Sequence, residues 1–175
     1  MKTSFVNQFL YELSYFTNRK GIRLLPPASN SDLLAAEKEL NYNFCPQMAF
    51  FLTHINGGRI LEVAIKGVNS LGIRKIPKGL DIVNDNLIMR TFDGWTHSWL
   101  LIGEDGFGNY YVMDNSRVLE DDEHPILFVD HEAIGEDWAT YEFATSYSEF
   151  LIKLVLEMKK IYTPDGNIKD LENRP

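Results

Sequence analysis

The stretch Trp99-Leu100-Leu101-Ile102-Gly103-Glu104-Asp105-Gly106-Phe107-Gly108-Asn109-Tyr110-Tyr111-Val112-Met113 decides the fold class. Trp99 to Ile102 is an apolar run, and Tyr110 to Met113 is aromatic and β-branched, so each half suits a strand. Between them Gly106 and Gly108 permit the positive φ angles that a reversal needs. The segment therefore reads as a β-hairpin. Two further strands are expected downstream, at residues 126–129 and 139–144, and one upstream over residues 59–65.

Helical patterns surround this block. Phe5, Phe9, Leu13 and Phe16 lie at helical intervals within residues 4–18. Ser29 to Asp32 offers N-cap side chains for a helix whose face carries Leu33, Ala36 and Leu40. Pro46 suits a first helical turn, where a missing N–H costs nothing, and Met48, Phe51, Leu52 and Ile55 follow on one face. Asn56-Gly57-Gly58 then stops that helix. A short helix is expected around Leu80, Val83 and Leu87. The final helix opens with Ser146 and Glu149 in a capping-box pattern and buries Phe150, Leu151, Leu154, Val155 and Met158. Helices at both chain ends around a block of strands predict a single α+β domain with a central antiparallel or mixed sheet. Residues 1–28 read as a helical extension, 29–162 as the domain proper and 163–175 as a flexible tail.

At 175 residues the chain is long enough for a core without covalent staples. Its single cysteine, Cys45, excludes an internal disulfide and any multi-cysteine metal site; just before Pro46 it reads as a small apolar filler. No signal-peptide apolar region forms in the first ten residues, and the longest apolar runs are far short of a membrane span, so a cytoplasmic protein is expected. A net charge of −8 argues against nucleic acid as a partner.

The sequence carries few motifs for chemistry. His131-Glu132 begins like a zinc-protease helix, but the position of the second ligand is Gly135. His54, His97 and His124 have no ligand spacing, the turn at 105–109 lacks the glycine a calcium loop needs, and no phosphate-cradling motif is present. No catalytic residue, cofactor or metal site is expected. Trp95, Trp99 and Trp138 read as core residues.

Charge is the stronger signal. Residues 120–137 hold eight acids, Glu120, Asp121, Asp122, Glu123, Asp130, Glu132, Glu136 and Asp137, and no lysine or arginine. Residues 59–78 hold Arg59, Lys66, Arg74, Lys75 and Lys78 against Glu62 alone. The acidic stretch is either a solvated loop or a recognition surface for a basic partner.

Three pieces in order resemble the SUKH superfamily, which joins a fungal cell-wall-synthesis regulator to bacterial toxin-immunity proteins. The first is Glu37-Lys38-Glu39-Leu40 with Pro46, Phe51-Leu52 and Asn56-Gly57-Gly58; the second is Asp105, Gly106, Gly108 and Asn109 with Asp114; the third begins at Ser146. Asn109 departs from the aspartate that many relatives carry there, and the first 27 residues are longer than the usual N-terminal extension. The resemblance implies a small α+β domain without a catalytic apparatus. It further implies a cytoplasmic immunity protein, monomeric or weakly dimeric, that binds a cognate toxin such as a basic nuclease or deaminase through the acidic residues. A regulatory scaffold or peptide-binding module is the alternative, and a small-ligand binder with a pocket near the hairpin is a third class.

Overall fold

The structure is a computed structural model, described over residues 2–17, 21–69, 76–132 and 140–169. Among these residues seven strands form one sheet in simple chain order, β1 (Ile22–Leu24), β2 (Gly58–Ile60), β3 (Val63–Ile65), β4 (Trp99–Glu104), β5 (Tyr110–Asp114), β6 (Ile126–Val129) and β7 (Thr140–Ala144). Every neighbouring pair is antiparallel, which settles the choice between an antiparallel and a mixed sheet. The helices are α1 (Lys2–Leu13), α2 (Asn30–Leu40), α3 (Pro46–Leu52), α4 (Ile82–Met89) and α5 (Tyr147–Ile161).

Alternation along the central strands sorts the side chains. Leu100, Ile102, Tyr111, Met113 and Ile126 face the main core, shared with Phe9, Phe51, Leu52, Tyr147 and Phe150 from the helices. Leu101, Val112, Leu127 and Val129 face the other way and pack with Met89 and Trp95. Val6, Phe9 and Leu13 of α1, with Phe16 just beyond it, enter the same core, and Glu12 meets Lys159 of α5 at 2.5 Å. Residues 163–169, the described part of the C-terminal tail, bond to the N-terminal region. Pro164 O accepts from Thr17 N at 2.7 Å, and Thr163 N donates to Asn167 O at 2.8 Å.

Two expectations change in detail. Residues 59–65 are not one strand but a tight hairpin, β2–β3, in which Leu61 takes φ 52°. Glycines accompany that turn because backbones approach closely: a Cβ on Gly58 would lie 2.3 Å from Arg23 O, across to β1. At α5, Ser146 Oγ accepts from Glu149 N, but the Glu149 carboxylate reaches past the cap to Thr145 N and Oγ1. These bonds hold the Glu149 carboxyl below its usual range.

Side-chain amides complete the sheet where strands run out. Leu101 pairs with Val112 on the β5 side, but β3 has ended on its other side, where Asn86 of α4 takes the place of a strand, accepting from Leu101 N at 2.7 Å and donating to Leu101 O at 3.0 Å. Asn56, in the Asn-Gly-Gly turn, treats Val68 the same way, at 2.8 Å in both directions. Both amides are buried, so a strand-like pair of hydrogen bonds is what makes their burial tolerable.

Candidate functional site

The acidic stretch is divided by the sheet. Glu120, Asp121 and Asp122 form a 3₁₀ turn before β6, whereas Asp130 and Glu132 follow it. Four strand residues at roughly 3.3 Å each put about 13 Å between the two groups. One acidic cluster therefore sits at the Asp114 end of the sheet and another at the hairpin end. Glu136 and Asp137 lie outside the described residues, as do Arg74, Lys75, Gly135 and Trp138.

Glu123 belongs to neither cluster. It is 3% exposed and accepts from Cys45 Sγ at 3.4 Å, Gln47 N at 3.3 Å and Tyr147 N at 3.2 Å. Gln47 and Tyr147 stand in the first turns of α3 and α5, where backbone donors have no intrahelical partner. A single carboxylate thus caps two helices and meets the positive ends of both dipoles. Gln47 Oε1 adds a bond from Ser148 N at 2.8 Å. Burial nonetheless pushes the Glu123 carboxyl above its usual range, and burial with the Glu123 charge pushes the Cys45 thiol up, so this cysteine is an inert interior group. Buried in this way, Glu123 cannot belong to a partner-facing surface.

The turn that ends in Glu123 is tight. Asp121 and Asp122 have φ 57° and 56°, left-handed values that acidic residues tolerate better than branched ones, and both side chains are exposed. His124 is buried with Nδ1 2.9 Å from Arg117 O. Nearby, Asn41, Tyr42, Asn43, Asn115 and His124 line an open, mostly polar groove of about 570 Å³. This groove is at the Asp114 end, not beside the hairpin. Asp114 itself is buried and closes β5 by accepting from Ser116 N and Oγ at 3.0 and 2.6 Å.

At the other end the hairpin tip is fastened by its own motif residues. Asp105 Oδ1 accepts from Phe107 N at 2.7 Å and Asn109 N at 3.1 Å, and Oδ2 accepts from Asn109 Nδ2 at 2.7 Å. Asn109 Oδ1 accepts from His131 N at 3.1 Å and lies 2.8 Å from His131 Nδ1. An aspartate at 109 would set a second carboxylate against Asp105 and lose the Nδ2 donor, which gives the departure at this position a physical reason. A Cβ on Gly106 (φ 84°) would meet Glu62 O at 2.5 Å, and one on Gly108 (φ 101°) would crowd the His131 ring at 3.2 Å. The tip is wedged between the β2–β3 turn and the end of β6.

Two features of the site leave no mark in the sequence. Lys66, one of the cations of the basic segment 59–78, is fully buried; Nζ donates to Gly79 O at 2.9 Å, to Asp85 Oδ2 at 2.8 Å and to Glu104. Three acceptors use the three ammonium protons. The second feature is aromatic exposure at the hairpin end, Phe107 at 68% and Tyr141 at 58%. Among the described residues no group of three His, Cys, Asp or Glu side chains could hold a metal ion, and no helix is long and apolar enough to cross a membrane.

The fold and these sites define a single α+β domain whose buried ions serve architecture and whose surface is marked by acids. The chain belongs to the SMI1/KNR4 family (SUKH-1), whose sequence profile it matches over residues 27–153. The match opens at Pro27, beyond α1, and closes within α5. A comparison with characterised proteins gives no match.

Proposed function

We propose that this chain is a non-catalytic, cytoplasmic binding protein that neutralises a cognate toxin domain, a basic nuclease or deaminase, by covering it with an acidic surface. Membership of the SUKH-1 family carries the reading. The exposed acids Glu120, Asp121, Asp122 and Glu132, with half-exposed Asp130, support it, and Glu136 and Asp137 extend the same run in sequence. Such a field speeds encounter with a basic partner and penalises wrong ones. Cys45, the reactive-type residue of the sequence, is buried and has its thiol pushed up, which suits a protein that binds rather than turns over. The working unit is a monomer or weak dimer.

The test is a pull-down from the native host at low salt, with mass spectrometry of the eluate. One basic protein near equal stoichiometry, whose toxicity is blocked by co-expression of this chain, is the expected result. Several unrelated regulators, or no protein at all, would sink the reading in favour of a scaffold or a ligand-binding role. Charge reversal in the recovered complex then localises the surface. Asp121→Lys with Asp122→Lys, or Asp130→Lys with Glu132→Lys, should slow association about tenfold at low salt and flatten its salt dependence. Unchanged association with both pairs reversed would show that the acids do not steer.

A further inference from the structure

We propose that the hairpin end of the sheet is the docking face, with Phe107 as its anchor, for a partner offering an apolar recess rimmed by lysine or arginine. The inference rests on the toxin-neutralising reading and deepens it. Phe107 stands 68% exposed on a tip that its neighbours immobilise: Asp105 holds its N–H, Asn109 ties the far side to His131, and Gly106 is pressed on Glu62. A side chain presented on a backbone already fixed loses less freedom when it is captured, so the exposed ring is poised to bind at low entropic cost.

The surroundings supply the chemistry of the partner. Asp105, Asp130 and Glu132 flank the tip, with Asp130 Oδ1 accepting from Glu132 N at 2.9 Å to turn the chain there. Tyr141 of β7 adds a second exposed ring, stacked on Phe128; partial burial first, and then the charges of Asp130 and Asp105, raise its hydroxyl above the usual range. Arg59 lies toward the other flank, with its guanidinium 3.4 Å from Glu62 O. Aromatic anchors ringed by polar groups carry most of the energy in protein interfaces, and acids beside them call for cations around the recess that receives the ring. The Asp114 end has acids as well, but its groove is mostly polar, and Tyr42 among its lining residues is 7% exposed and so presents no ring to a partner.

The experiment takes the basic protein recovered with the wild-type chain and measures its binding to the immobilised full-length protein by surface plasmon resonance. Phe107→Ala is compared with Phe92→Ala, a residue 53% exposed beyond α4 and outside the patch. At least 30-fold weaker binding is expected for Phe107→Ala, mainly as faster dissociation, with Phe92→Ala within about twofold of wild type. Both positions are exposed, so thermal melting should show both variants folded. Equal affinity for Phe107→Ala and wild type overturns the anchor while leaving the toxin-neutralising reading intact. Equal losses for the two variants also overturn it, because a general loss of apolar surface would then be the cause. Failure of the wild-type chain to recover any basic protein overturns both readings together.

Discussion

Glu123 and Lys66 are both buried charges, and the two ends of the sheet accommodate them by opposite means. Near the Asp114 end, Glu123 has no counter-ion among its hydrogen-bond partners; two helix N-termini and a thiol take the place of water. Beside the hairpin, Lys66 is met by two carboxylates and a carbonyl. Dipoles spread over two helices join elements distant in sequence without adding charge to the interior. An ion cluster is stronger bond by bond but leaves an uncompensated charge behind when any member is lost. The contrast implies that the two sites differ in what breaks them.

The largest effect should come from Lys66→Met, which strands Asp85 and Glu104 around an apolar side chain. A loss of about 4 kcal/mol in unfolding free energy is expected from urea denaturation. A loss under about 1 kcal/mol would mean that the two carboxylates reach water easily, and the comparison would fail on that side. Glu123→Ala should cost somewhat less, about 3 kcal/mol, because two backbone donors and a thiol lose their acceptor but no opposite charge is stranded. A cost larger than that of Lys66→Met would reverse the ranking.

The smallest and most diagnostic effect is on pH dependence. Burial raises the Glu123 carboxyl above its ordinary value of 4.5, so the folded state holds this proton more tightly than the unfolded chain. Its contribution is therefore full below pH 4.5 and is lost as pH rises through the elevated folded value. Glu123→Gln cannot titrate, so the stability of wild type relative to this variant should fall as pH increases from about 4 to 7. A rise over that interval would show that the helix N-termini more than offset desolvation.

Local signals in the sequence marked most elements. Ser29 with Asp32, Pro46, the glycines of the hairpin and the apolar stripe of the last helix are near-neighbour patterns, and the structure uses each as expected. The β2–β3 hairpin was hidden because Leu61 adopts a left-handed turn with no glycine to mark it. Strand β1 was hidden because three residues are too few for a periodic signal.

The candidate site was less legible. A run of acids looks continuous in the chain, yet β6 parts it into two ends, and one member turns inward to cap α3 and α5. Likewise a lysine in a basic segment was indistinguishable from its exposed neighbours until Asp85 and Glu104, 19 and 38 residues away, were placed around it.

By itself the sequence determined the α+β class, the helix caps, the hairpin, the absence of a disulfide framework and the family. All of these depend on side chains close together in the chain or on counts. Only the tertiary structure decided which charges are interior, that the acids occupy opposite ends, and that Phe107 stands exposed on a fixed tip. Burial and long-range hydrogen bonding are set by which segments the core brings together, and a side chain's neighbours in sequence do not record them.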